Sequence, residues 1–196
     1  MMLPHLILGS ASPRRSELLK QLGASFEVRA ADIDETPGDG EDPRSYVQRM
    51  AREKAEALSR GEGEILLTAD TTVILDDRSL GKPECADHAR EMLHALSARD
   101  HSVCTAVAVL DEAGQGSVSV ETVVTFVELS DTMINQYLES DEPWDKAGAY
   151  GIQGIAGSFV RRVQGSVSNV IGLPQAETRE LLAARGMPLG VSPWSP

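Results

Sequence analysis

Apolar residues recur along this chain in two alternating periods, and that alternation limits its possible folds more than any other feature. Residues 5–9, HLILG, are a short apolar run suited to a strand. Ser12 and Pro13 then read as the N-cap and first residue of a helix whose core face is Leu18, Leu19 and Leu22 and whose stop is Gly23. A strand over 26–28 leads into an acidic loop carrying Asp32, Asp34, Glu35, Asp39, Glu41 and Asp42. A second helix over 43–60 follows, with Val47, Met50, Ala51, Ala55 and Leu58 on one face at three- and four-residue steps.

The second half repeats the change of period. Residues 65–69 and 71–75 are strand-like runs with Asp70 between them, followed by a turn at Asp76-Asp77 and by Gly81-Lys82-Pro83. A helix with Ala89, Met92, Leu93 and Leu96 inward precedes two long β-rich runs, 103–110 and 118–129, joined as an antiparallel hairpin. Ser130 caps a short helix ending before Pro143, the segment 145–157 is rich in glycine, 159–163 is a strand, and 174–185 is a closing amphipathic helix. The pattern predicts an α/β fold with a mixed sheet, as one domain over 1–186 with a frayed tail over 187–196. Any second lobe is expected to elaborate the same fold.

Composition excludes several function classes. No run reaches the ~20 apolar residues of a membrane span, and the first eight residues carry no basic segment or cleavage site, so a cytoplasmic location is expected. Cys85 and Cys104 form no metal or disulfide spacing, and His5, His88, His94 and His101 form no metal pattern. A formal net charge of −12 argues against binding a nucleic-acid polymer, while a small anion is still accommodated wherever basic residues gather. G-x-S-x-G, G-x-G-x-x-G and the P-loop pattern are all absent.

Basic residues gather first at Gly9-Ser10-Ala11-Ser12-Pro13-Arg14-Arg15. Small residues there let the backbone approach a ligand beside free helix N–H groups, and two guanidinium groups oppose the helix dipole. A phosphate explains that cost, because guanidinium matches phosphate oxygens bidentately; a solvated helix start is the alternative. Lys54 lies on the apolar face of its helix and either snorkels at the edge or reaches into a cleft. Asp70 at a strand end is either a turn residue or an acid in the crevice where α/β sheets bind ligands. A carboxylate of ordinary pKa ~4 is a weak base, so hydrolysis at Asp70 is easier if a divalent cation acidifies the attacking water, with Glu35 as a further oxygen ligand. Lys82, between Gly81 and Pro83, is either a phosphate-directed cation or a charged turn residue.

Six segments, in order and spacing, resemble the Maf family: Ser10 to Arg15, Asp34-Glu35, Arg52-Glu53-Lys54-Ala55, Ala69-Asp70-Thr71, Gly81-Lys82-Pro83, and the motif DKAGAYGIQG at 145–154. The resemblance covers roughly 3 to 185 and implies the inosine-triphosphatase-like (Maf/Ham) α/β fold, an elongated mixed sheet with a central cleft, commonly as a homodimer. It implies cleavage of a nucleoside triphosphate between the α and β phosphates with a divalent metal, magnesium or manganese. Asp70 matches the catalytic acid, and Glu35, Lys54 and Lys82 match further catalytic positions, Glu35 and Asp70 being the expected metal ligands. Ser10, Arg14 and Arg15 match substrate-binding positions. The late motif resembles the branch that cleaves dTTP and UTP, with Arg14, Thr71 and Gln153 at positions tied to substrate choice. An amide at 153 offers the donor and acceptor that a pyrimidine O4 and N3–H edge requires. Two other readings stand beside this one: the same reaction on another base, such as 7-methyl-GTP, and a non-catalytic nucleotide-binding regulator of septum formation. Thr68 departs from the pattern, since many relatives carry glycine before Ala-Asp, and it tests whether the backbone beside Asp70 needs glycine.

Overall fold

A computed structural model describes residues 4–190. The elements run β1 His5–Leu8, α1 Pro13–Gln21, β2 Phe26–Val28, α2 Pro43–Ala57, β3 Glu64–Leu75, β4 Arg78–Leu80, α3 Ala86–Leu96, β5 Asp100–Asp111, β6 Gly114–Phe126, α4 Asp131–Leu138, β7 Val160–Gln164, α5 Val167–Ile171 and α6 Gln175–Ala183. Two 3₁₀ turns, Ala147–Ala149 and Ile155–Phe159, punctuate the glycine-rich segment. The strands form one mixed sheet in the order β2-β1-β3-β5-β6-β7, with β4 paired to β3. This is the mixed α/β architecture expected from the alternating periods.

The chain divides into two compact units. Among the described residues the first comprises 4–70, 105–120 and 172–190. Here β1 pairs in parallel with both β2 and β3, Leu6 opposite Phe26 on one side and Ile65 on the other. Parallel strands buried on both faces need continuous apolar runs, and Leu6, Ile7, Leu8, Leu66 and Leu67 are all fully buried. Helix α1 starts where the Ser12 hydroxyl accepts from the Arg15 N–H, and α2 where the Asp42 carboxylate accepts from the Ser45 N–H at 2.9 Å. Val47, Met50, Ala51 and Ala55 form the buried stripe of α2.

The second unit comprises 71–104 and 121–171. Its core joins Leu93 and Leu96 of α3 and Ile134 and Tyr137 of α4 to Phe126, Tyr150 and Phe159. The aromatic rings meet edge to face, Phe126 and Tyr150 with centroids 4.8 Å apart, and Tyr137 and Phe159 at 5.1 Å.

Several boundaries differ from the sequence reading. Residues 64–75 are one continuous strand: Asp70 lies within β3 and does not end a run, because its charge is matched by a lysine and its backbone stays in the ladder. Asp76 and Asp77 both adopt positive φ, a two-residue hairpin turn that returns the chain as β4, which the sequence reading did not include. Helix α2 ends at Ala57, and the five-residue α5 was not expected. Met187 is buried and its N–H donates to the Leu182 carbonyl at 3.1 Å, so the chain just after α6 is packed rather than frayed. The remainder of the expected tail, 191–196, lies outside the described residues. Among the described residues no helix is long and apolar enough to cross a membrane.

Candidate active site

In the first unit, β1 delivers the chain to the Ser10 turn. The Gly9 N–H donates to the Leu67 carbonyl at 2.7 Å, extending the β1–β3 pairing by one rung. A Cβ on Gly9 would sit 2.6 Å from the Thr68 methyl and 2.7 Å from Leu58 Cδ1, so close packing requires glycine there. The buried Ser10 hydroxyl accepts from the Ser12 N–H at 3.3 Å and from Arg15 Nη1 at 3.2 Å. Arg15 also donates from Nε to the Gly172 carbonyl at 2.9 Å. Burial pulls its guanidinium below the ordinary arginine value, Asp70 opposes that pull, and Arg14 adds to it. Ser10, Arg14 and Arg15 thus share one short turn at the start of α1, with Arg15 locked at two points.

Lys54 reaches inward from α2. Its ammonium donates to Asp70 Oδ1 at 2.7 Å and pairs with Glu35 Oε1 at 2.8 Å. Lys54 is 7% exposed and Asp70 8%, so spacing did not decide the position of this lysine, whereas a carboxylate partner on β3 does. The Glu35 side chain is 52% exposed, and one ammonium therefore links a buried and an exposed carboxylate.

The loop carrying Glu35 is tied down by residues that the sequence reading passed over. Tyr46 donates its hydroxyl to the Glu35 carbonyl at 2.8 Å, and burial followed by the charges of Asp70 and Glu35 pushes its pKa up to about 12. Arg49 binds Glu41 through Nε at 2.7 Å and Nη2 at 2.6 Å, and reaches the Thr36 carbonyl. Those bonds, with one from the Gly38 N–H, hold the Glu41 carboxyl at about 2. The available signal was position: Tyr46 and Arg49 are three residues apart on α2, one face above the acidic loop.

Thr68 answers the question its departure raised. It is fully buried within a regular strand and is absent from the positions of positive φ, so the backbone beside Asp70 does not demand glycine. The strand pleat puts Thr68 and Asp70 on one face of β3 and Thr71 on the other.

The second unit carries Thr71, Lys82 and Gln153. Lys82 is exposed in a turn fixed where the Gly148 N–H donates to the Gly81 carbonyl at 3.0 Å. Gln153 is exposed just before the 3₁₀ turn Ile155–Phe159. Glu142, which the sequence reading did not single out, organises this loop. Its carboxylate accepts from the Ile155 N–H at 2.7 Å, the Ala156 N–H at 3.2 Å and the Tyr137 hydroxyl at 3.1 Å. A Cβ on Gly154 would lie 2.0 Å from Glu142 Oε2, which explains glycine beside Gln153.

Among the described residues no group of three or more His, Cys, Asp or Glu is arranged to hold a metal ion. Glu35 and Asp70 present two carboxylates, both paired with the Lys54 ammonium. Magnesium is usually bound through one or two carboxylates, with substrate phosphates and water completing its shell. Carboxylate oxygens are the donor type that a cation of that class takes.

A family model described as Maf-like protein matches residues 5–185. A dTTP/UTP pyrophosphatase of Anaeromyxobacter dehalogenans is 52% identical over 197 residues, covering 98% of each chain. One from Myxococcus xanthus is 53% identical over 190 residues, covering 96% of this chain and 95% of its own. Among solved structures, the Staphylococcus aureus Ham1 protein aligns over 92% of this chain and 99% of its own, at 11% identity and a TM-score of 0.51. That likeness concerns the fold, and it agrees with the Maf/Ham architecture implied by the six motifs.

Proposed function

The chain belongs to the Maf family, and from that premise we propose that it hydrolyses dTTP and UTP between the α and β phosphates, releasing dTMP or UMP and diphosphate. The observation that carries the chemistry is the buried Lys54–Asp70 pair, on the same unit as a turn that presents two arginines and a helix start.

Asp70 accepts the proton of the water that attacks the α-phosphorus. The bond from that phosphorus to the bridging oxygen breaks, its electron pair leaves with diphosphate, and the proton passes from Asp70 to solvent. Lys54 fixes the carboxylate through Oδ1, and its ammonium offsets charge near the reacting phosphorus. Ser10 through its hydroxyl, and Arg14 and Arg15 through their guanidinium groups, bind phosphate oxygens. A magnesium or manganese ion would be held by Glu35 and Asp70 and would supply Lewis-acid charge there. We assign Lys82 to a phosphate oxygen and Thr71 and Gln153 to the choice of base, on the resemblance of their motifs.

The test is a panel of common and modified nucleoside triphosphates with magnesium or manganese, scored for diphosphate and monophosphate, for the wild type and Gln153→Ala. Cleavage confined to dTTP, UTP and close pyrimidine analogues, broadened by Gln153→Ala, supports the proposal. Preference for another base such as 7-methyl-GTP keeps the reaction and overturns the base assignment. Binding without turnover of any triphosphate points to the non-catalytic regulator.

A further inference from the structure

We propose that Thr68 is a positioning residue for the Lys54–Asp70 pair, its hydroxyl setting the height and rotation of α2 against β3. This inference rests on the assignment of Lys54 and Asp70 to the reaction. Thr68 Oγ1 donates to the Ala51 carbonyl at 2.5 Å, with both residues fully buried. Thr68 and Asp70 are two residues apart and share a strand face; Ala51 and Lys54 are three apart and share a helix face. The bonds Thr68–Ala51 and Asp70–Lys54 are therefore two rungs between one strand face and one helix face.

One rung fixes only a point of contact, and the apolar stripe of α2 restrains roll without directional bonds. Two rungs fix both position and roll. Lysine has a long flexible stem, and its ammonium meets Asp70 at one oxygen in a repeatable way only if the backbone from which it springs is held. The Ala51 carbonyl already lies in the helical i to i+4 ladder, so the threonine bond is a second bond to the same oxygen rather than the repair of an unsatisfied group. Its value is geometric.

The two branches of Thr68 face different segments. The hydroxyl binds α2, while the methyl lies where a Gly9 side chain would have to be. Removing each branch separately distinguishes positioning from packing. Thr68→Val keeps the shape and removes the hydroxyl; Thr68→Ser keeps the hydroxyl and removes the methyl.

The experiment measures kcat and KM for dTTP, with melting temperature, for the wild type, Thr68→Val, Thr68→Ser and Asp70→Asn. The expected result is a fall in kcat of about tenfold or more for Thr68→Val at nearly unchanged KM, because sub-ångström misplacement of a catalytic group acts on turnover. Thr68→Ser is expected to keep kcat within about threefold of the wild type. If Thr68→Val does not fold, Thr68→Ala replaces it in the same comparison with serine. An unchanged kcat in Thr68→Val, or equal losses in the valine and serine variants, overturns the positioning role when Asp70→Asn is inactive. An active Asp70→Asn instead refutes the underlying assignment of Asp70.

Discussion

Replacing Lys54 by methionine is expected to be among the most destabilising single changes in the first unit. Methionine keeps an unbranched stem of similar length and deletes the ammonium, leaving Asp70, 8% exposed, as a buried carboxylate without its partner. Breaking a buried pair from one side costs about 3–5 kcal/mol, whereas the link to Glu35, whose side chain is 52% exposed, adds only about 0–1 kcal/mol. The sum is a large share of the ~5–15 kcal/mol that holds a typical domain together. Asp70→Asn is milder, about 1–2 kcal/mol, because the amide keeps the shape and Lys54 retains Glu35 at 2.8 Å. In the double variant the unpaired carboxylate is gone, so its cost falls below the sum of the singles by about 1–3 kcal/mol. Urea unfolding followed by circular dichroism on the four proteins measures this cycle. A cost below about 1 kcal/mol for Lys54→Met, or a coupling within about 0.5 kcal/mol of zero, would refute the reading of the pair as desolvated and mutually dependent.

His101 supplies a pH prediction for the second unit. Burial pushes it down to about 4, and it shares a 2.8 Å hydrogen bond with the Tyr150 hydroxyl. The unfolded chain takes up the proton first, so stability is full above about 6.5 and falls as pH drops toward 4, by up to about 3 kcal/mol. Unfolding free energies between pH 7 and 5.5 for the wild type and His101→Gln check this, and equal slopes would contradict it. Gly9→Ala is expected to cost about 1–3 kcal/mol through collision with the Thr68 methyl, and to cost less in a Thr68→Ser background; thermal melts of the two pairs read the difference. Glu142→Gln should lose one of the two N–H acceptors that hold the Gln153 loop, at about 1–2 kcal/mol, and weaken discrimination among bases more than overall turnover. Competition between UTP and CTP in that variant provides the readout.

Much of this architecture is legible in the sequence because period and capping act locally. Ser12-Pro13 starts α1 as read, α2 begins at Pro43 where the second helix was expected, and the apolar runs of β1 and β3 are those of buried parallel strands. What the sequence hides is pairing at a distance. Asp70 reads as a strand breaker until Lys54, 16 positions earlier, is seen to neutralise it. Lys54 itself reads equally as a snorkelling surface residue, since its partner lies on another element. Tyr46 and Glu142 act largely on backbone groups, which carry no side-chain identity for a motif to record, and Arg49 pairs with Glu41 eight positions earlier. Asp76-Asp77 was read as a turn, but a β4 of three residues is too short to leave a period of its own. The six motifs carried the family assignment because they join residues that these distant contacts hold in place.

Turnover of dTTP in oxygen-18 water by the wild type and Asp70→Asn tests whether water attacks the α-phosphorus with Asp70 as its base. One labelled oxygen in dTMP, unlabelled diphosphate in equal amount and no turnover by folded Asp70→Asn are expected. Label in the released phosphate species, release of orthophosphate with dTDP, or a wild-type rate for Asp70→Asn would contradict that mechanism.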